Sequence, residues 1–226
     1  MTTETLTALN LRRHAALDRY RGAFLGLAVA DHAAAEVLFA RCEALLRDED
    51  VGPLEVDWPE GPLLGALLAL WCGGDLHAAT TAVALRQASG SARSAAAMMA
   101  LILAETPPAA FPSSEPQLDE VVEALTAAPN FEAGALRVDA PGKAVYGILA
   151  GAAFGESGLP APSVAALPHR GLARALAGAL FERVWTPPPP DAPEVVCEHC
   201  RSLLERASAS PMVTPRSGPF GSRQPT

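Results

Sequence analysis

Two stripes of small residues constrain this chain most. Gly22, Gly26 and Ala30 recur every four residues in one stretch, and Gly147, Gly151 and Gly155 do the same in another. A spacing of four keeps residues on one face of an α-helix. A glycine inside a helix costs about 1 kcal/mol relative to alanine, so each stripe calls for a compensating contact. With no side chains on one face, a second backbone can approach to the short end of the usual range of about 8–10 Å between helix axes. The pattern predicts that a helix over 143–154 lies along a helix over 18–39, with Gly22 and Gly26 facing Gly147 and Gly151.

The rest of the chain points to helices packed on helices. Of its 226 residues, 50% are hydrophobic but only 5% are aromatic, so the core must rely on close packing of small and aliphatic side chains. Alanine and leucine dominate, and both favour helix. The expected class is all-α. The formal net charge of −8 and the lack of a basic stripe interleaved with aromatics exclude nucleic acid as the expected partner. The longest apolar run, 62–72, is too short to span a bilayer, and no apolar leader precedes the four cysteines, Cys42, Cys72, Cys197 and Cys200. The expected setting is the cytoplasm, with reduced thiols and no membrane contact.

In chain order, residues 1–10 are threonine-rich and expected to be flexible. A helical domain then covers 11–185. Its first helix is expected from near Leu11 or His14 to about Arg47, with room for one break. Residues 48–53 read as a loop. Pro62 suits the first turn of a helix over 63–71, which Gly73 and Gly74 end. Asp75 is the expected N-cap of a helix over 76–87, and 89–91 reads as a turn. Further helices are expected at 92–105, 117–127, 143–154 and 171–184. Asn130 should cap a short turn through Leu136, and loops are expected at 107–116, 138–142 and 158–163. Residues 186–193 (TPPPPDAP) read as a polyproline linker. A terminal helix over 194–208 and a disordered tail over 209–226 complete the chain.

Three of these stretches together resemble a known family. RYRGAFLGLAVAD (19–31) is similar to the opening R-x-R-G-x-L-L-G-L-A-x-G-D-A-L-G of the ADP-ribosylglycohydrolases. KAVYGILAGAAFGESGLP (143–160) resembles their late helix, A-x-x-A-A-I-A-G-A-L-x-G-A-x-Y-G. WPEGPLLGALLALWCGGD (58–75) looks like the segment in which the family carries W/Y-T-D-D-T before an apolar helix. The resemblance covers roughly 12–184 and implies a compact all-helical fold. It also implies removal of ADP-ribose from modified side chains with one or two Mg²⁺ or Mn²⁺ ions, held between the T-D-D segment and a late D-T-D-[TS] loop. Hard cations of this kind need several oxygen ligands.

The chain departs from the family at each of those segments. Pro59-Glu60-Gly61-Pro62 stands where T-D-D-T is expected, leaving Glu60 as the lone carboxylate. Val138-Asp139-Ala140-Pro141 stands at the D-T-D-T loop, with Asp139 in the place of its threonine. The family's glutamate seven residues after the first motif's aspartate becomes Leu38. Glu36 is two residues short of it, about 200° away around a helix. The family's N-G-x-x-M-R-x-A-P segment is reduced to 92–103, without the arginine or proline in register. Asp31 keeps its place in the first motif.

Losing nearly all oxygen ligands at once implies a degenerate, non-catalytic relative with no cofactor. Its vestigial ligand-binding residues would be Asp31, Glu60 and Asp139, and it would bind an ADP-ribose-like small molecule or a partner protein. The first alternative is a divergent hydrolase with a reduced Mg²⁺ or Mn²⁺ site. The second is a helical interaction module without a ligand cleft. Separately, Cys197, His199 and Cys200 form half of a zinc motif with no second pair in sequence, to which Cys42, Cys72 or His169 could be added only by folding. His14, His32 and His77 stand alone in sequence and read as surface or capping residues.

Overall fold

The computed structural model describes residues 3–49, 58–85, 89–106 and 116–185. Among them the chain is helical, without a strand. The helices are α1 (Thr3–Ala30), α2 (His32–Leu46), α3 (Glu60–Trp71), α4 (Leu76–Leu85), α5 (Gly90–Leu103), α6 (Pro116–Ala127), α7 (Phe131–Ala135), α8 (Ala140–Phe154), α9 (Ala161–Ala166) and α10 (Arg170–Trp185). A 3₁₀ turn, Glu156–Gly158, follows α8. No described helix is long and apolar enough to cross a membrane. The expected linker over 186–193, terminal helix over 194–208 and tail over 209–226 lie outside the described residues, as do most of the expected loops over 48–53 and 107–116 and the end of the expected helix over 76–87.

The glycine stripes meet as the sequence predicts. A Cβ built on Gly22 would strike the carbonyl of Gly151, and one on Gly26 would strike the carbonyl of Gly147. In return, a Cβ on Gly147 would lie 2.6 Å from the Cβ of Ala30 and 2.7 Å from the Gly26 carbonyl. Residue numbers rise along α1 as they fall along α8, so the pair is antiparallel. Its backbones touch where bulkier residues would hold them apart. A second contact of the same kind joins α3 to α5, where a Cβ on Gly65 would strike the carbonyl of Ala92.

Around this pair the core is aliphatic with a few rings. Phe24 stacks on Phe39 of α2 with centroids 5.7 Å apart. Tyr20 meets Phe181 of α10 edge to face at 5.6 Å, and its hydroxyl donates to the Leu70 carbonyl of α3 at 2.8 Å. α3 and α8 are apolar on nearly every face and are buried almost throughout, as helices without a polar side must be. Both are held centrally, with α1, α2, α5 and α10 packed about them.

Several boundaries differ from expectation. α1 begins at Thr3, so residues expected to lie ahead of the helix belong to it; no glycine or proline interrupts 3–10, and threonine's helix penalty is well under about 1 kcal/mol. α8 begins at Ala140 rather than Lys143, because Pro141 falls in its first turn, where proline's missing N–H costs nothing. α5 takes in Gly90 and Ser91 of the expected turn, with the Ser89 hydroxyl accepting the Ala92 N–H as its cap. Much of the expected turn over 158–163 is the start of α9, again with proline in its first turn.

Candidate functional site

The break between α1 and α2 is made by Asp31. Its N–H still donates to the Leu27 carbonyl at 2.8 Å, but its φ of −152° is extended, and the chain turns there. Its Oδ1 then accepts the Ala34 N–H at 3.0 Å, which caps α2. The Asp31 carboxylate is therefore committed to the start of α2.

The turn sets α2 against the start of α3, and an apolar pocket of about 230 Å³ opens between them. Ala33, Ala34, Val37, Leu38 and Arg41 form one wall and Pro59, Glu60, Leu63 and Leu64 the other. Each set follows helical spacing, so each wall is one face of its helix. Leu38, Leu63 and Leu64 are buried and make the floor, while Val37 is exposed at the mouth. Glu60 is exposed in the first turn of α3, where the helix dipole favours a carboxylate.

Asp139 precedes α8 without a side-chain capping bond. Its N–H donates to Glu120 Oε1 of α6 at 2.7 Å, and its own side chain is exposed. The antiparallel register of α1 and α8 sets Asp31 and Asp139 at the same end of that pair. Of the three sequence-predicted residues, Glu60 alone belongs to the pocket wall. Leu38 lies in the same wall. Cys197, His199 and Cys200 lie outside the described residues.

A second, more polar cleft of about 390 Å³ is lined by His14, Ala15, Leu17, Asp18, Arg21 and Ser157. Two of its polar groups, Asp18 and Ser157, engage each other. Asp18 accepts the Ser157 hydroxyl at 2.9 Å and its N–H at 3.2 Å, and Arg174 donates to Glu156 at 2.7 Å. Arg21 lies 3.9 Å from Glu156. These contacts fasten the 3₁₀ turn to α1. Arg19 is likewise tied down, donating to the Ile102 carbonyl at 2.8 Å and pairing with Glu105 at 3.0 Å.

The groups with displaced pKa values lie away from the pocket wall. Burial, with a smaller contribution from Glu43, pushes the Cys42 thiol up to about 12. Burial also raises Tyr146 to about 12, and burial with nearby Cys72 raises Tyr20. A thiol held protonated in this way is a packing group rather than a nucleophile.

Folding also gathers residues that sequence reading kept apart. His32, Glu36 and His169 bring their donor atoms within 4.8 Å of one another. The signal available in sequence was His32 and Glu36 one helical turn apart; His169 lies far along the chain and reaches them only through the packing of α10 beside α2. Comparison of the chain with family models, with curated proteins and with solved structures gives no match.

Proposed function

We propose that this chain is a non-catalytic protein of ADP-ribosylglycohydrolase-like fold that binds through the pocket between α2 and α3. The observation that carries this reading is the lining of that pocket. Among its wall residues there is one carboxylate, Glu60, and the remainder apart from Arg41 are alanine, valine, leucine and proline. Pockets of this composition hold apolar groups and use a few polar rim residues for orientation.

The described donor set does not fit the ions that the resemblance implies. Mg²⁺ needs near-octahedral oxygen coordination and Mn²⁺ likewise favours oxygen ligands. Glu60 stands without a neighbouring carboxylate in the wall, Asp31 caps α2, and Asp139 is outside the wall. No catalytic step is derived through such a metal. The antiparallel glycine pairing supports the family-like scaffold, because it joins the most specific of the three resembling stretches, 19–31, to a second one, 143–160. The apolar wall favours a ligand recognised by its ring or hydrocarbon surface: the base of a nucleotide-like molecule, or an apolar side chain of a partner protein.

Thermal unfolding in the presence of ADP-ribose, Mg²⁺ and Mn²⁺ tests the reading. Neither of these ions should raise the Tm. Stabilisation by ADP-ribose that Ala34→Trp abolishes would assign a nucleotide-like ligand to the pocket. No response to ADP-ribose would favour a protein partner. Stabilisation by Mg²⁺ or Mn²⁺ that Glu60→Gln removes would overturn the proposal in favour of a divergent hydrolase.

A further inference from the structure

We propose that His32, Glu36 and His169 form a surface binding site for a first-row transition-metal ion of the zinc type, clipping α2 to the start of α10. His32 is the first residue of α2, and Glu36 follows one turn later on the same face. His169 precedes α10, and its carbonyl accepts the Ala173 N–H at 3.0 Å, so the backbone at this residue is fixed by the helix it starts. The site therefore stands on two helix ends whose positions the core already determines.

The distances leave room for an ion between the donors. Nε2 of His32 lies 3.5 Å and Nε2 of His169 lies 3.7 Å from the same Glu36 oxygen, Oε1. Both are long for N–H···O hydrogen bonds, which peak near about 2.9–3.0 Å. They are close to the edge of a tetrahedral zinc site. Bonds of about 2.0–2.2 Å to nitrogen and oxygen place adjacent ligand atoms about 3.3–3.6 Å apart. The two imidazole rings stack almost parallel, at 3°, with centroids 5.6 Å apart, so the two side chains lie side by side, with their donor atoms and that of Glu36 within 4.8 Å of one another.

The chemistry of the donors selects the ion. Two imidazole nitrogens and one carboxylate oxygen suit zinc and its neighbours, whereas magnesium and calcium take oxygen ligands. All three side chains are about half exposed, at 47%, 59% and 49%, so an ion can reach them from solvent. Three protein ligands leave the fourth tetrahedral position to water or to another donor. Asp31, next to His32, adds negative charge to this end of α2. The adjacent cation, Arg170, donates to the Ala165 carbonyl at 3.2 Å. The donor set shares no residue with the pocket wall, so the inference stands independently of the function proposed above.

Cys197 and Cys200 could bind zinc on their own account, so the test uses the full chain carrying Cys197→Ser and Cys200→Ser. Calorimetric titration with Zn²⁺ should give one site per chain. At free Zn²⁺ about 100 times its Kd, the Tm should rise by roughly 5–10 °C, and Mg²⁺ should give no rise. His32→Ala and His169→Ala should each weaken binding by more than about tenfold while leaving the metal-free Tm nearly unchanged, since both side chains are exposed. Absence of Zn²⁺ binding would overturn the proposal. So would binding that survives both substitutions, or binding that is lost instead on His14→Ala or His77→Ala.

Discussion

At Gly26 an added Cβ would strike the Gly147 carbonyl and lie 2.7 Å from the Gly151 Cα. Both obstacles are backbone, which cannot rotate out of the way as a side chain can. Gly26→Ala and Gly151→Ala should each therefore lose about 1–3 kcal/mol or more in denaturant unfolding, despite a gain of about 1 kcal/mol in helix propensity. Gly178 of α10 gives the contrast, because nothing lies within 4 Å of its Cβ position. Gly178→Ala should stabilise the protein by up to about 1 kcal/mol.

Cys42 makes a prediction of a different kind at the same scale. Its thiol is raised from 9.0 to about 12 in the fold. Its contribution is thus fully present below about pH 9 and is lost as pH rises toward 12, because the unfolded chain releases the proton first. Stability should fall with pH above 9, by up to about 1.4 kcal/mol per pH unit for this proton. Cys42→Ala should flatten the decline between pH 9 and 10. Above 10 the raised Tyr20 and Tyr146 add to the loss in both proteins.

Among the elements, α10 shows which contacts hold a helix to the rest. Arg13 of α1 pairs with Glu182 through both carboxylate oxygens, at 2.6 and 2.7 Å, but both side chains are about half exposed. One turn face away, Phe181 is fully buried against Tyr20. Glu182→Gln should cost less than about 1 kcal/mol and less still at high salt. Phe181→Ala should cost about 3–5 kcal/mol. Urea unfolding of the two variants separates surface pairing from core packing as the source of α10's attachment.

The elements were legible in the sequence where local chemistry decides them. Asn130 accepts the Ala133 N–H and Asp75 the Ala78 N–H, each at 2.9 Å, as their positions before helical runs imply. The contact of the α1 and α8 glycine faces follows from the glycine spacing, whereas its antiparallel register does not, because a four-residue repeat fits either direction. Prolines misled the reading at Pro141 and Pro162, because a proline can open a helix as readily as end one. Glu60 was visible as a lone carboxylate, but the pocket it borders depends on how the Asp31 turn swings α2 against α3. No local spacing encodes that angle. The His32, Glu36 and His169 cluster was hidden for the same reason.

At the scale of the described helical domain, a closely packed scaffold carries, between α2 and α3, a pocket with little chemistry in its wall. At the helix ends Asp31 caps α2, Glu60 stands alone in the pocket wall and Asp139 lies outside it. Leu38 is buried in the floor. Hydrolysis needs a water held and activated beside the scissile bond, and the described wall offers one carboxylate for that task. The most direct measurement is release of free ADP-ribose from ADP-ribosylated arginine and serine peptides, with Mg²⁺ or Mn²⁺ at millimolar concentration. The account predicts no release above that of the peptide in buffer. Metal-dependent release that disappears on Glu60→Gln would contradict it.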